Sequence, residues 1–345
     1  DYSKASALRD IAVELAKAGQ FDKALNVAGS ISDDSKKAWA LKNIASELAK
    51  AGQTQQALQI FDKAFSVAGS ISFDFLKADT LKDIAVELAK AGQFDDALNV
   101  AGSICTDFYK DWAFRDIASE LAKAGQFDDA LNVAGFISDN DDRDGTLNVI
   151  AVELAEAGQF DKAFDVAGFI SDNDDRDGTL NVIAVELAEA GQFDKAFDVA
   201  GSISDDDNKA QALSNIASEL AKAGQTQQAL QIFDKALNVA GSISNDYSKA
   251  LALRDIVVEL AKVGQFDKAV SVAGSIPVDS YKAYALSKIA SELAKAGQTQ
   301  QALQIFDKAV NAAVSISFDS KKAKALRDIA SELAKAGQTQ KALQI

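Results

Sequence analysis

Apolar residues recur at the start of this chain at the spacing of one face of an α-helix. The first set comprises Ala5, Leu8, Ile11, Ala12, Leu15 and Ala18, which step by three or by one. This is the pattern of an amphipathic helix. A second set follows Gly19 and comprises Phe21, Ala24, Leu25, Ala28 and Ile31. The pattern therefore predicts two helices joined by a tight turn at Gly19.

The same pair of helices is predicted ten times, because the phrase A-x-E-L-A-K-A-G-Q returns with small variations along the chain. Its glycines are Gly19, Gly52, Gly92, Gly125, Gly158, Gly191, Gly224, Gly264, Gly297 and Gly337, spaced by 33 or 40 residues. Such a spacing is typical of helical repeat arrays, in which each unit buries its apolar face against its neighbours. We therefore predict an all-α fold, an α-solenoid of ten helix-turn-helix repeats that forms one continuous domain over residues 1–345.

Each repeat carries two glycines with different predicted roles. The first follows Lys17 and Ala18 in the opening unit and suits the left-handed C-terminal cap of a helix. The second, in V-A-G-S-I, is replaced by Val314 in the ninth unit, and a β-branched residue at positive φ would be an outlier. We therefore predict that the second glycine is helical and permits close helix contact. Clusters such as residues 32–35 (Ser-Asp-Asp-Ser) are predicted to cap the following helix.

Three units contain seven extra residues, T-Q-Q-A-L-Q-I, inserted before F-D-K-A. They span residues 54–60, 226–232 and 299–305. Seven helical residues turn through about 700°, close to two full turns, and add about 10 Å of length. The insertion is therefore predicted to lengthen the second helix in phase, so that Phe61, Ala64 and Phe65 stay on the core.

Composition narrows the classes of function. The chain has no His, and its one Cys, Cys105, stands where other units carry Ser, which argues against Ser-His-Asp or Cys-His catalysis and against an internal disulfide. No apolar run approaches the roughly 18 residues that a membrane span needs. We predict a soluble, cytoplasmic protein that is not an enzyme and needs no cofactor. Because the chain lacks an initial Met and stops within a repeat, we also expect a fragment of a longer protein.

The segment A-K-A-G-Q-F-D-K-A-L resembles the tetratricopeptide repeat. In the long units Ile44, Ala45, Leu48, Gly52, Ala57, Phe61 and Ala64 stand where that family places its packing residues. The resemblance covers all ten units but departs from the family in repeat length, usually about 34 residues, and in the missing proline between units. It implies a right-handed superhelix whose first helices line a concave groove for a peptide or protein. Pentatricopeptide repeats share the A-G-x-x-x-x-A-L core and imply single-stranded RNA binding instead.

The net charge of −15 is concentrated in the middle of the chain. Residues 136–168 and 169–201 are identical, and each copy holds eight acidic residues against one Arg and one Lys, a charge of −6. Phosphate binding needs clustered Lys and Arg. The acidic band therefore favours a protein or peptide partner over a nucleic acid strand.

The resemblance places the groove at residues 13, 10, 6 and 2 positions before each anchor glycine. Both tryptophans of the chain stand at the first of these positions, and large aromatic residues are common energetic anchors of interfaces. The predicted partner-binding residues are Trp39, Trp112, Tyr284, Arg9, Lys42, Lys82, Arg115, Lys50, Lys90 and Lys123. The family's carboxylate clamp is not supported, because Val13, Ser46 or Val86 stands where it needs Asn. The competing interpretation is a solvated charged face with tryptophans at the edge of the core.

Two further patterns contain carboxylates. The segment from Asn140 to Asn148 resembles a calcium loop of the D-x-D-x-D-G kind, with Asn140, Asp142 and Asp144 as candidate ligands. Its first ligand is Asn, and Ala151 stands where a bidentate Glu belongs, so we favour an acidic loop that caps the next helix. A Glu also stands five positions before every anchor glycine, and we interpret this column as structural.

We therefore expect a non-catalytic scaffold that binds a protein or peptide in the groove of the solenoid, without nucleic acid or membrane partners. Two alternatives stay open. One is pentatricopeptide-like binding of single-stranded RNA. The other is a self-associating repeat arm of a larger signalling protein, because neither end carries a polar capping helix.

Overall fold

In the computed structural model, which describes residues 2–345, the chain forms twenty α-helices in ten consecutive pairs. The first helices of the pairs are α1 (Tyr2–Lys17), α3 (Asp34–Lys50), α5 (Asp74–Lys90), α7 (Asp107–Lys123), α9 (Asn140–Glu156), α11 (Asn173–Glu189), α13 (Asp206–Lys222), α15 (Asp246–Lys262), α17 (Asp279–Lys295) and α19 (Asp319–Lys335). The second helices are α2 (Phe21–Gly29), α4 (Thr54–Gly69), α6 (Phe94–Gly102), α8 (Phe127–Ala134), α10 (Phe160–Ala167), α12 (Phe193–Ser202), α14 (Thr226–Ser242), α16 (Phe266–Gly274), α18 (Thr299–Val314) and α20 (Thr339–Ala342). The all-α fold of helix-turn-helix repeats is confirmed.

The two helices of each pair are joined by a turn at the anchor glycine. All ten anchor glycines have φ between 73° and 80°, and no other residue in the described chain has a positive φ. In the first pair the N–H of Gly19 donates to the carbonyl of Ala16 (2.9 Å), and the N–H of Gln20 donates to that of Leu15 (2.8 Å). These bonds satisfy carbonyls that the end of α1 leaves unpaired. The predicted left-handed caps are therefore confirmed.

The second glycine is helical, as predicted, but it does not serve close helix contact. Gly69 is the last residue of α4, and a Cβ built on it would meet no atom within 4 Å. The same holds for Gly29, Gly102 and Gly274, which end α2, α6 and α16. The predicted packing role is wrong for these glycines, because each of them lies on the solvent-exposed side of its helix end.

The seven extra residues extend the second helix in phase. In the long units this helix begins at the inserted Thr, and Phe61, Phe233 and Phe306 are fully buried. Ala64 is buried as predicted, whereas Phe65 is exposed. The prediction for Phe65 is wrong, because the next residue of a helix points about 100° away from its predecessor.

Within each unit the interior first helices are buried on more than one side. In the N-terminal unit α3, α5 and α7, and in the C-terminal unit α13, α15 and α17, each pack against their own second helix and against the first helices of both neighbours. Ile44 is therefore fully buried. Its counterpart Ile11, predicted as core, is exposed, because among the described elements α1 packs only against α2 and α3. Ala18 is also exposed, in the turn beyond α1. Ala5 and Ala12 are buried as predicted.

Contacts divide the chain into two compact units. The N-terminal unit consists of residues up to Ala157 together with Asp165–Asp172, and the C-terminal unit consists of Gly158–Phe164 and Asn173–Ile345. Within each unit, successive first helices pack side by side, which places equivalent positions of neighbouring repeats next to one another. A single continuous array and a right-handed superhelix stay predictions. Among the described helices, none is both long and apolar enough to cross a membrane.

Substitution by alanine should change the free energy of unfolding differently at the two kinds of glycine. Gly52→Ala places a Cβ at φ +75° and should lower the free energy of unfolding by about 1 kcal/mol or more. Gly69→Ala, in the same repeat, adds a methyl group in open space at a helical position and should leave stability unchanged or raise it by about 0.5 kcal/mol. Denaturant unfolding of both variants measures the difference. Equal effects would contradict the assigned roles.

Candidate partner-binding site

Four of the predicted groove residues of the N-terminal unit, namely Arg9, Lys42, Lys82 and Arg115, lie around the two tryptophans. Trp39 on α3 is half-buried between a cation of α1 and a cation of its own helix. The guanidinium carbon of Arg9 lies 4.9 Å from the centre of its ring, and Nζ of Lys42 lies 5.7 Å from it. Cations at this distance are attracted to the ring quadrupole. The structure thus brings these three predicted residues together.

Trp112 on α7, two repeats further along the chain, has an equivalent environment. Nζ of Lys82 and the guanidinium carbon of Arg115 each lie 5.6 Å from its ring centre. Two more rings complete this cluster, with centroids 4.3 Å away for Phe108 and 6.2 Å away for Tyr109. Both tryptophans are therefore held by the basic residues that stand ten positions before the anchor glycines.

Carboxylates neutralise these basic residues. Nζ of Lys42 lies 3.2 Å from Asp83, and Nζ of Lys82 lies 3.0 Å from Asp79 and 3.2 Å from Asp83. Burial lowers the pKa of Lys82, but Asp79 and Asp83 outweigh it and raise the pKa above its usual value. Lys82 is therefore charged but already paired. The basic positions around the tryptophans do not form an open positive surface.

Exposed apolar residues continue the site beyond the predicted positions. Phe75 is exposed, and its ring lies 5.2 Å from that of the buried Tyr109. Leu76 lines a surface depression of 310 Å³ that also contains Trp39. The sequence interpretation missed Phe75 and Phe108, although both stand 17 positions before an anchor glycine. Counting back one more helical turn from the tryptophan position, from 13 to 17 residues before the glycine, would have found them.

Lys50, Lys90 and Lys123, predicted to line the groove, are exposed and pair within their own helices. Each Nζ lies 2.8 or 2.9 Å from the Glu three residues earlier in the helix. Exposed pairs of this kind contribute about 0–1 kcal/mol. Their role in binding stays a prediction.

The position six residues before the anchor glycine was predicted to face the groove, and in the four repeats that carry Val13, Ser46, Ser218 and Ser291 this is wrong, because the side chain is buried. Three of these residues are serines, and the hydroxyl of each donates at 2.6–2.8 Å to a Glu of the next repeat, the one that stands five positions before its anchor glycine. The acceptors are Glu87, Glu259 and Glu332. These glutamates therefore connect successive first helices.

The bond between Ser291 and Glu332 should make the stability of the fold depend on pH. Burial raises the pKa of Glu332, but the hydroxyl of Ser291 and the ammonium groups of Lys335 and Lys288 lower it to about 2, below the ordinary value of 4.5. A depressed pKa means that ionised Glu332 stabilises the fold fully above pH 4.5 and that this contribution is lost as the pH falls toward 2.

Ser291→Ala removes one donor and should raise the pKa of Glu332 toward 4.5, as measured by NMR titration of its carboxyl group. The stability deficit of the variant should shrink as the pH falls from 4.5 to 2. Ser119→Ala is the control, since that hydroxyl donates to the carbonyl of Arg115 rather than to a Glu. An unchanged pKa in Ser291→Ala would contradict the assignment.

The three candidate calcium ligands lie on α9 and have other partners. Asn140 accepts from Arg143 at 2.7 Å, and Asp142 pairs with Arg115 at 3.2 Å. Asp144 is 3 % exposed, and its Oδ2 accepts the backbone N–H groups of residues 171 and 172 at 2.9 Å each. A regular helix does not provide the looped geometry that Ca²⁺ requires. No group of three or more Cys, Asp or Glu side chains in the described chain could hold a metal ion.

Asp144 instead connects its repeat to the loop that precedes the next one. Asp111 and Asp177 make the same pair of backbone hydrogen bonds, to residues 138–139 and 204–205. In the other seven repeats this position, fourteen before the anchor glycine, is Ala. The buried carboxylate is therefore a local addition that alanine can replace without a steric clash.

Asp144→Ala should accelerate hydrogen exchange of the amides of Ser171 and Asp172 by an amount equivalent to about 1–2 kcal/mol of lost protection. Asp144→Asn keeps an acceptor oxygen and should retain part of the protection. Asp141→Ala, an exposed neighbour, serves as the control. Unchanged exchange in Asp144→Ala would show that the carboxylate does not hold this loop.

Tyr284 lies in the C-terminal unit, in a second cluster of aromatic and basic residues. The guanidinium carbon of Arg254 lies 5.6 Å from its ring centre and 5.2 Å from that of Tyr281. Nζ of Lys288 lies 5.4 Å from the ring of Tyr284. Tyr247 completes the group, with its ring centre 5.1 Å from that of Tyr281. The same arrangement of a first-helix aromatic between cations therefore recurs in this unit.

Helical hairpins joined at a left-handed glycine, with the first helices of each unit packed side by side, define the class: the chain is an all-α helical repeat protein whose hairpins resemble the tetratricopeptide repeat. No family model matches the sequence, and no curated protein matches it.

Several solved structures are similar. Ton1535 from Thermococcus onnurineus NA1 has a TM-score of 0.34 and 20% identity, covering 94% of this chain and 90% of that one. The Rap protein complexed with Competence and Sporulation Factor has a TM-score of 0.32 and 16% identity, covering 90% and 95%. The apo form of the quorum sensor NprR from B. thuringiensis has a TM-score of 0.34 and 12% identity, covering 90% and 98%. Similarity at this level carries no argument about a ligand.

Proposed function

We propose that the chain is a non-catalytic scaffold that binds a protein or peptide through the N-terminal unit. The surface responsible, here called the tryptophan face, comprises Trp39, Phe75, Leu76, Phe108 and Trp112. Three of its members, Phe75, Leu76 and Phe108, are exposed beside the half-buried tryptophans. A cluster of exposed large apolar residues on a folded protein is typical of an interaction site. This exposed aromatic cluster is the observation that carries the proposal.

The pairing of the basic residues favours a protein partner over RNA. A strand of RNA is bound mainly by cations that are free to replace its counterions. Lys42 and Lys82 are each within 3.2 Å of an Asp, and Arg115 is within 3.2 Å of Asp142. An RNA phosphate would have to compete with these carboxylates. Apolar side chains of a peptide meet no such competition at the rings.

The tryptophans are also positioned before a partner arrives. Arg9 and Lys42 hold Trp39, whereas Lys82, Arg115 and Phe108 hold Trp112. Binding loses less conformational entropy when side chains are already ordered. The energetic anchors of interfaces are commonly Trp and Arg residues surrounded by less important contacts. The tryptophan face has this composition.

The proposal is tested by selecting binders from a phage library of random linear peptides. Selected peptides should change the tryptophan emission of the wild type, because Trp39 and Trp112 are the two tryptophans of the chain. Phe75→Ala combined with Phe108→Ala should weaken binding at least tenfold, since each interface anchor is worth about 1–2 kcal/mol. Both side chains are exposed, so this variant should fold normally, as checked by circular dichroism.

Phe169→Ala is the matched control, because Phe169 is 69% exposed, as is Phe75, and lies outside the tryptophan face. Equal loss in the control and in the double variant would refute the assigned surface. Saturable binding of a mixed-sequence single-stranded RNA at moderate salt, lost in the double variant, would establish the RNA alternative instead. Concentration-dependent sedimentation abolished by the double variant would reassign the face to self-association.

A further inference from the structure

The C-terminal unit contains a larger cavity, of 600 Å³, that is separate from the tryptophan face. It lies among the N-terminal parts of α15, α17 and α19 and the loop before α19. We call it the tyrosine cavity, with walls that include Tyr247, Tyr281, Tyr284, Phe318, Lys321 and Lys324. Its volume is within the range of about 300–1,000 Å³ that small-molecule sites occupy.

Aromatic rings form one wall of the cavity. Tyr247 and Tyr281 meet edge to face, with ring centres 5.1 Å apart at 67°. Arg254 lies over both Tyr281 and Tyr284 and is itself paired with Asp255 at 2.6 Å. Burial and a hydrogen bond with Tyr247 raise the pKa of Tyr281 to about 12. The phenol of Tyr281 is therefore neutral at physiological pH, and the wall presents ordered rings without negative charge.

Two lysines supply charge that the cavity does not neutralise. Nζ of Lys321 lies 5.5 Å from the ring centre of the exposed Phe318. Within the described chain neither Lys321 nor Lys324 forms an ion pair, unlike Lys42 and Lys82 at the tryptophan face. Of the two carboxylates that line the cavity, Asp328 lies 3.6 Å from Arg327. Asp279 is therefore the one remaining carboxylate in the lining, beside the two unpaired ammonium groups of Lys321 and Lys324.

We propose that the tyrosine cavity binds a planar aromatic group that carries an anionic substituent, such as an aryl phosphate. The ring stacks against Tyr281, Tyr284 and Phe318, and the anion pairs with Lys321 and Lys324. Stacking between rings contributes about 0.5–1.5 kcal/mol beyond burial, and charge-assisted hydrogen bonds are roughly twice as strong as neutral ones. This site uses residues and a ligand chemistry that the tryptophan face does not, so either proposal can fail without the other.

Phenyl phosphate is the probe, followed by NMR of protein labelled with ¹³C on the tyrosine rings. Tyr247, Tyr281 and Tyr284 are three of the five tyrosines of the chain, and their signals should shift on titration. Tyr109, in the N-terminal unit, should not respond. Inorganic phosphate lacks the ring and benzyl alcohol lacks the charge, so each should bind at least about tenfold more weakly.

Lys324→Gln should weaken phenyl phosphate binding about tenfold, whereas Lys308→Gln, an exposed lysine outside the cavity, should not. Both are surface variants, and circular dichroism checks their folding. Equal binding of benzyl alcohol, equal binding of inorganic phosphate or unmoved tyrosine signals would each overturn the proposal. A blocked phosphotyrosine peptide that binds more tightly than phenyl phosphate would assign the ligand to a protein. Equal affinity of the peptide and of phenyl phosphate would indicate that the ligand is a free small molecule.

Discussion

A glycine with φ near +75° reverses the chain between the two helices of every repeat. The left-handed conformation strains any residue with a Cβ, and it is what lets the second helix fold back onto the first. Because each repeat turns in the same way, the first helices of neighbouring repeats within each unit pack side by side. Equivalent sequence positions then become spatial neighbours. The clusters, pairs and cavities of both units depend on this register.

The register explains why aromatic and basic residues meet. A residue ten positions before one glycine faces an aromatic residue thirteen positions before the next, as Arg9 does with Trp39, Lys82 with Trp112 and Arg254 with Tyr284. The geometry is shared, but the surrounding charges differ. Asp83 neutralises Lys42 and Lys82 beside the tryptophan face, whereas Lys321 and Lys324 of the tyrosine cavity form no ion pair within the described residues. One backbone arrangement therefore supports two surfaces of different chemistry.

Polar groups between repeats add specificity to an alanine-rich core. The hydroxyl of Ser291 bonds to Glu332 of the next repeat, and the buried Asp144 bonds to two amides of the following loop. Buried polar groups are tolerated when they are hydrogen-bonded. Each of these bonds fits one register between neighbours, so they oppose slippage that small apolar side chains would permit.

Much of the molecule follows from the sequence by itself. The spacing of the anchor glycines determined the number of repeats and the left-handed turns, and the seven-residue insertion determined the burial of Phe61, because helical periodicity is a local property of the chain. Counting back from the glycines also placed Trp39 and Trp112 with Arg9 and Arg115. Phe75 and Phe108 followed the same register one turn earlier and could have been found.

Only the tertiary structure decided what those residues do. It showed that Asp83 neutralises Lys42 and Lys82, that Asp144 binds backbone amides rather than belonging to a calcium loop, and that Ser46 is buried against Glu87. It also showed that the second glycine meets open space and that Lys321 and Lys324 share a cavity with three tyrosines. Charge pairing and burial depend on distances between repeats, and a periodic pattern defines which positions face one another without defining which atoms come within bonding reach.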